Sequence, residues 1–109
     1  MNSKRKGKCG ELEACKALRD VLGIDAKRGQ QYSGSPESPD IVTDLDGIHF
    51  EVKRVERLNI SQALQQACDD AGEGAAPVVL WRKNHGQWVF IAYLDDMPHI
   101  ARSVMELKK

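Results

Sequence analysis

The sequence predicts an α/β protein with helices packed on a mixed central sheet. Three observations carry this reading. Apolar residues recur at helical spacing near the start, middle and end of the chain. Strand-like segments lie between those helices, and Gly, Pro, Asn and Asp punctuate the joins. The 109 residues are 41% hydrophobic and 29% charged. That fits one compact domain over residues 9–109, preceded by a flexible basic arm over residues 1–8.

The first helix runs from about Gly7 or Gly10 to Leu22, where Gly23 stops it. A short strand follows within Ile24–Gln31, then a Ser-, Gly- and Pro-rich loop to Pro39. Asp40–Asp44 and Ile48–Lys53 read as strands, with Asp46-Gly47 as a hairpin turn between them. A second helix spans about Ser61–Ala71, with Asn59 or Ser61 as its N-cap and Gly72 at its end. Pro77–Arg82 and Gln87–Leu94 form another strand pair. The last helix starts at Pro98 and reaches Leu107.

No apolar run approaches the roughly 20 residues that span a bilayer. The charged N-terminus lacks an apolar signal core, so a cytoplasmic protein is expected, in a bacterium or a phage-infected cell. Cys9, Cys15 and Cys68 form no CxxC pair and read as reduced thiols, not as a disulfide or zinc framework. The net charge is zero, but the cations cluster. Lys4, Arg5, Lys6 and Lys8 crowd the start; Arg28 and Arg54 belong to later clusters. Either these are solvated surface charges or they contact phosphates.

The hairpin expectation assigns faces. With Leu45 and Ile48 flanking the turn, Asp40 stands opposite Lys53 and Val42 opposite Glu51. Alternation then puts Asp40, Glu51 and Lys53 on one side. Diagonal neighbours are about 7–8 Å apart at Cα, so the two carboxylates can converge on one cation. Ile41, Thr43, Leu45, Ile48, Phe50 and Val52 make the packing side. A solvated polar face explains the same alternation. His49 shares the Glu51 face, where a half-exposed strand histidine is expected. His85 and His99 do not suggest ligands, and Trp81 and Trp88 are expected in the core.

In the first helix, Glu11, Cys15, Leu18 and Leu22 form one stripe. Glu11 therefore ends a buried stripe, where a carboxylate needs an ion pair or a metal. A first-turn acid favoured by the helix dipole is the competing account. Glu13 points elsewhere, towards solvent.

Gly7-Lys8-Cys9-Gly10-Glu11-Leu12-Glu13, Ser33-Gly34-Ser35, Pro39-Asp40-Ile41 and Glu51-Val52-Lys53 resemble the PD-(D/E)xK nuclease superfamily. They look most like its archaeal-type Holliday-junction resolvases and small phage-encoded relatives, over residues 4 to 70. The resemblance implies a three-layer restriction-endonuclease-like fold of αβββαβ type. It implies metal held by Glu11, Asp40 and Glu51, with Val52 of the same motif also at the metal. Lys53 would place the attacking water and stabilise charge. Gln62 on the second helix would complete the catalytic set, with Gln65 as its rival. Ser33 or Ser35 would contribute from the loop. Ser33, Ser35, Lys4, Arg5, Lys6, Lys8, Arg28 and Arg54 are the expected nucleic-acid contacts.

Oxygen ligands without a His/Cys cluster suit Mg²⁺ or Mn²⁺. The expected activity is metal-dependent hydrolysis of DNA phosphodiesters, selective for structures such as four-way junctions. Paired cuts imply a homodimer. Two alternatives stand beside it. One is a nuclease on ends, flaps, nicks or single strands, as in VRR-NUC relatives. The other is a DNA-binding module without catalysis.

Overall fold

A computed structural model describes residues 3–29 and 40–107, with side chains from residue 8 onward. The loop serines Ser33 and Ser35, Pro39, and the side chains of Lys4, Arg5 and Lys6 lie outside the described residues.

Helix α1 covers Ser3–Leu22 and is followed by strand β1, Ala26–Arg28. The helix begins earlier than expected, so residues 3–8 are helical and not an arm. Lys and Arg are good helix formers, and Gly7 costs only about 1 kcal/mol against Ala. The expected stop holds: Gly23 adopts φ +67° and its N–H bonds Arg19 O at 3.0 Å. Ala14, Cys15 and Leu18 are buried along the predicted stripe.

Strands β2 (Ile41–Thr43) and β3 (Ile48–Lys53) do not form the expected hairpin ladder. β2 pairs antiparallel with β1, placing Arg28 opposite Ile41. β3 pairs in parallel with β4 (Ala76–Trp81), placing Glu51 opposite Val79 and Lys53 opposite Trp81. β5 (Val89–Ala92) then adds antiparallel to β4. The Asp46-Gly47 turn exists, but other elements take its polar groups. Gly47 O accepts from Ala76 N at 2.7 Å and lies 2.9 Å from His99 Nε2. Ser103 Oγ donates to Asp46 O. The turn thus anchors β4 and the last helix, α3 (Met97–Leu107), which follows a 3₁₀ turn at Leu94–Asp96.

A parallel pair needs a crossover, and helix α2 (Ile60–Ala71) supplies it. Asn59 is its N-cap, with Oδ1 accepting from Gln62 N at 3.1 Å. Alternation along β4 divides the core. Val78 and Leu80 pack with Ala14, Cys15 and Leu18 of α1, Phe50, and Ile100 of α3. Val79 packs with Ala63, Leu64 and Ala67 of α2. The chain is therefore an α/β protein with helices on both faces of a mixed three-stranded sheet, plus a two-stranded sheet. Both tryptophans pack against these clusters, and Trp81 Nε1 also donates to Val55 O at 2.8 Å. No described helix is long and apolar enough to cross a membrane.

Candidate active site

Glu51 lies on the α2-facing side of β3, since its partner Val79 packs on α2. Strand alternation puts His49 and Lys53 on that side too. The predicted grouping of these side chains therefore survives the change of strand partner. Helix α2 covers them, and this is why Glu51 is only 5% exposed. Lys53 Nζ donates to Gln66 Oε1 at 3.0 Å. His49 Nε2 lies 3.0 Å from Glu51 Oε1.

Asp40 reaches the group by an unexpected route. Its main-chain oxygen accepts from Gly29 N, continuing the β1–β2 pairing. Its Oδ2 accepts from Val52 N at 2.9 Å. A side chain thus bridges to β3 where the expected ladder would have used main chain. Val52 itself packs against the α1 side of the core.

The Glu51 carboxyl is pushed up to about 7, first by burial. The Asp70 and Asp40 carboxylates, within hydrogen-bonding reach, raise it further, while His49 opposes them. The hydrogen bond to Glu51 also makes His49 hold its proton more tightly than usual. The two shifts have different causes: burial raises Glu51, and the Glu51 hydrogen bond raises His49. A buried carboxylate crowded by two others calls for a proton or a cation. Asp40 and Glu51 offer carboxylate oxygens of the kind that a hard divalent ion takes.

Glu11 comes close enough to Asp40 to feel its charge, and burial chiefly raises its pKa. Arg28 holds it at 3.1 Å, so in this structure Glu11 serves an ion pair. Arg28, expected at nucleic acid, is correspondingly engaged. Glu13 is not simply solvated: it accepts from both Arg54 Nε at 3.1 Å and Arg82 at 2.8 Å. Arg54 also donates to Asn84. Lys8 is exposed.

Among the described residues, neither Gln62 nor Gln65 hydrogen-bonds Glu51 or Lys53. The recorded hydrogen bond of Gln62 uses its main-chain N–H at the Asn59 cap, and its side chain is exposed. Gln65 donates to Asp69. Gln66 instead bonds Lys53, because helical phase, not proximity in sequence, decides which glutamine faces β3. Asp70 lies one turn beyond Gln66 on the same side and was missed. The signal was available as the i, i+4 spacing of Gln66 and Asp70 beside the apolar stripe Ala63, Leu64 and Ala67. His49 was expected to be half-exposed, but its side chain is 11% exposed because α2 covers it.

No protein-family model matches the chain, and no curated protein and no solved structure gives a match.

Proposed function

We propose that the chain is a metal-dependent endodeoxyribonuclease of the PD-(D/E)xK type, with a restriction-endonuclease-like fold. The observation that carries the proposal is the approach of Asp40 to the buried Glu51, on the strand face that also carries Lys53. Asp40 and Glu51 would hold Mg²⁺ or Mn²⁺. The bound cation supplies charge to a phosphate oxygen and acidity to a water. Lys53, oriented by Gln66, offers positive charge to the phosphodiester as negative charge builds on it. Glu11 lies close enough to Asp40 to feel its charge and is paired with Arg28.

Arg54 directly follows Lys53, and Arg82 follows Trp81 on the neighbouring strand. The two guanidiniums share the Glu13 carboxylate, so the group keeps a net positive charge at the end of the strands that carry the site. That favours a DNA backbone passing there. The substrate proposed is branched DNA such as a four-way junction, cut by a homodimer in the cytoplasm.

The test is cleavage of a labelled four-way junction beside duplex and single-strand controls, in Mg²⁺ and in Mn²⁺. Paired nicks in the junction alone, lost in Glu51→Ala, are expected. Equal cutting of the controls would keep a nuclease and discard the junction preference. Binding without cutting would leave a DNA-binding module.

A further inference from the structure

The proposed metal position uses Asp40 and Glu51. Two further donors stand beside it. His49 leaves β3 on the face of Glu51, and Asp70 approaches from α2. One ligand atom from each of His49, Glu51 and Asp70 lies within 4.8 Å of the other two. One of the pairs, His49 Nε2 and Glu51 Oε1, is 3.0 Å apart. Ligands at about 2.1 Å from a cation stand roughly 3 Å apart when cis, and roughly 4.2 Å apart when trans. The three groups thus already span one coordination shell, to within a small contraction.

This is more than a patch of surface acids. Glu51 and His49 are both covered, with side chains 6% and 11% exposed, and one donor is an imidazole. Asp40 and Asp70 reach Glu51 from different elements, β2's leading end and α2. A single cation between Asp40 and Glu51 would leave His49 and Asp70 unused.

We propose that His49, Glu51 and Asp70 form a second divalent-cation position, joined to the Asp40–Glu51 position through the Glu51 carboxylate, and that it selects Mn²⁺ over Mg²⁺. The inference rests on the reading of Asp40 and Glu51 as a metal centre. The selectivity follows from donor chemistry. Mg²⁺ prefers all-oxygen surroundings and keeps its waters, whereas first-row transition ions accept imidazole nitrogen. Two cations sharing a carboxylate supply, when bound, charge to both the attacking and the leaving oxygen of a phosphodiester.

The experiment is Mn²⁺ titration of the full chain, without DNA, followed by the electron paramagnetic resonance of free Mn²⁺. Mg²⁺ is titrated in parallel by calorimetry. The wild type is expected to bind two Mn²⁺ per chain. His49→Ala and Asp70→Asn should each weaken one of the two by roughly tenfold or more, and His49→Ala should also narrow the preference for Mn²⁺. Asp70 is exposed, so Asp70→Asn keeps the test open if His49→Ala fails to fold. One Mn²⁺ in the wild type, or two in Asp70→Asn at unchanged affinity, would overturn the second position alone. No Mn²⁺ bound at all would overturn the metal centre with it. Failure to cleave DNA while two ions bind would overturn the nuclease reading and leave this inference standing.

Discussion

Asp40 Oδ2 accepts the Val52 N–H at 2.9 Å, and this bond joins the two-stranded sheet to the strand that carries Glu51 and Lys53. Asp40 is therefore both a proposed metal ligand and a structural tie, and the two roles can be separated. Asp40→Asn keeps an oxygen acceptor and should unfold in urea within about 0.5 kcal/mol of wild type. Asp40→Ala leaves the N–H without its partner and should lose about 1–3 kcal/mol. Both variants should fail to cleave DNA. Equal stability of Asn and Ala variants would show that the bond adds nothing to the fold.

The Lys53–Gln66 contact predicts a ranking of the three glutamines. Gln66→Ala should slow single-turnover cleavage about tenfold, equivalent to about 1.4 kcal/mol, with Mn²⁺ affinity unchanged. Gln62→Ala and Gln65→Ala should stay within about twofold of wild type. A Gln62→Ala defect larger than that of Gln66→Ala would mean that α2 turns a different face to Lys53 during catalysis.

Stability should depend on pH through Glu51 and His49. Both hold a proton more tightly in the folded chain than in an unfolded one. The folded state therefore binds more protons above the ordinary carboxyl range, and its advantage disappears as pH rises through about 7. Asp40 and Asp70 raise Glu51 further and deepen the effect. Metal-free protein should melt at a lower temperature at pH about 8 than at about 5, and Glu51→Gln should flatten that dependence. Added Mn²⁺ should restore the melting temperature at high pH, because a cation bound only to the native state stabilises it. A metal-free melting temperature that rises between those pH values would contradict the raised proton affinities of Glu51 and His49.

Glu13 restrains Arg54 and Arg82. Its side chain is 36% exposed, so solvent screens the pair and Glu13→Gln should cost less than about 1 kcal/mol of stability. Freed from the carboxylate, the arginines should bind DNA more tightly, with a steeper salt dependence by roughly one counterion. Arg54→Ala should shift both quantities the other way. Unchanged binding in both variants would place the DNA elsewhere on the surface.

The face of β3 was legible because alternation is local. Whatever strand lies beside it, His49, Glu51 and Lys53 point one way, and Phe50 and Val52 the other. The strand partner was not legible from Asp46-Gly47. That dipeptide forms a turn equally well when Gly47 O serves Ala76 and His99. The better clue lay in Pro77–Leu80, an unbroken apolar run that suits a central strand covered on both sides. Gln66 as the partner of Lys53 was not legible either, for a different reason. Helical period alone defines a stripe but not which neighbour it meets. The burial of His49 followed only from the docking of α2, a tertiary event that no spacing within β3 records.

The parallel pairing of β3 with β4 obliges α2 to be the crossover, and α2 also carries Gln66 and Asp70 over the site. Chemistry and topology are thus completed by one event. On the proposed nuclease reading, a nascent or half-denatured chain that has formed β3 but not seated the crossover would have scattered acids and a stray lysine, and no assembled site. Such a chain would be harmless to the nucleic acid around it, and cleavage, where it is seen, would report that folding had finished.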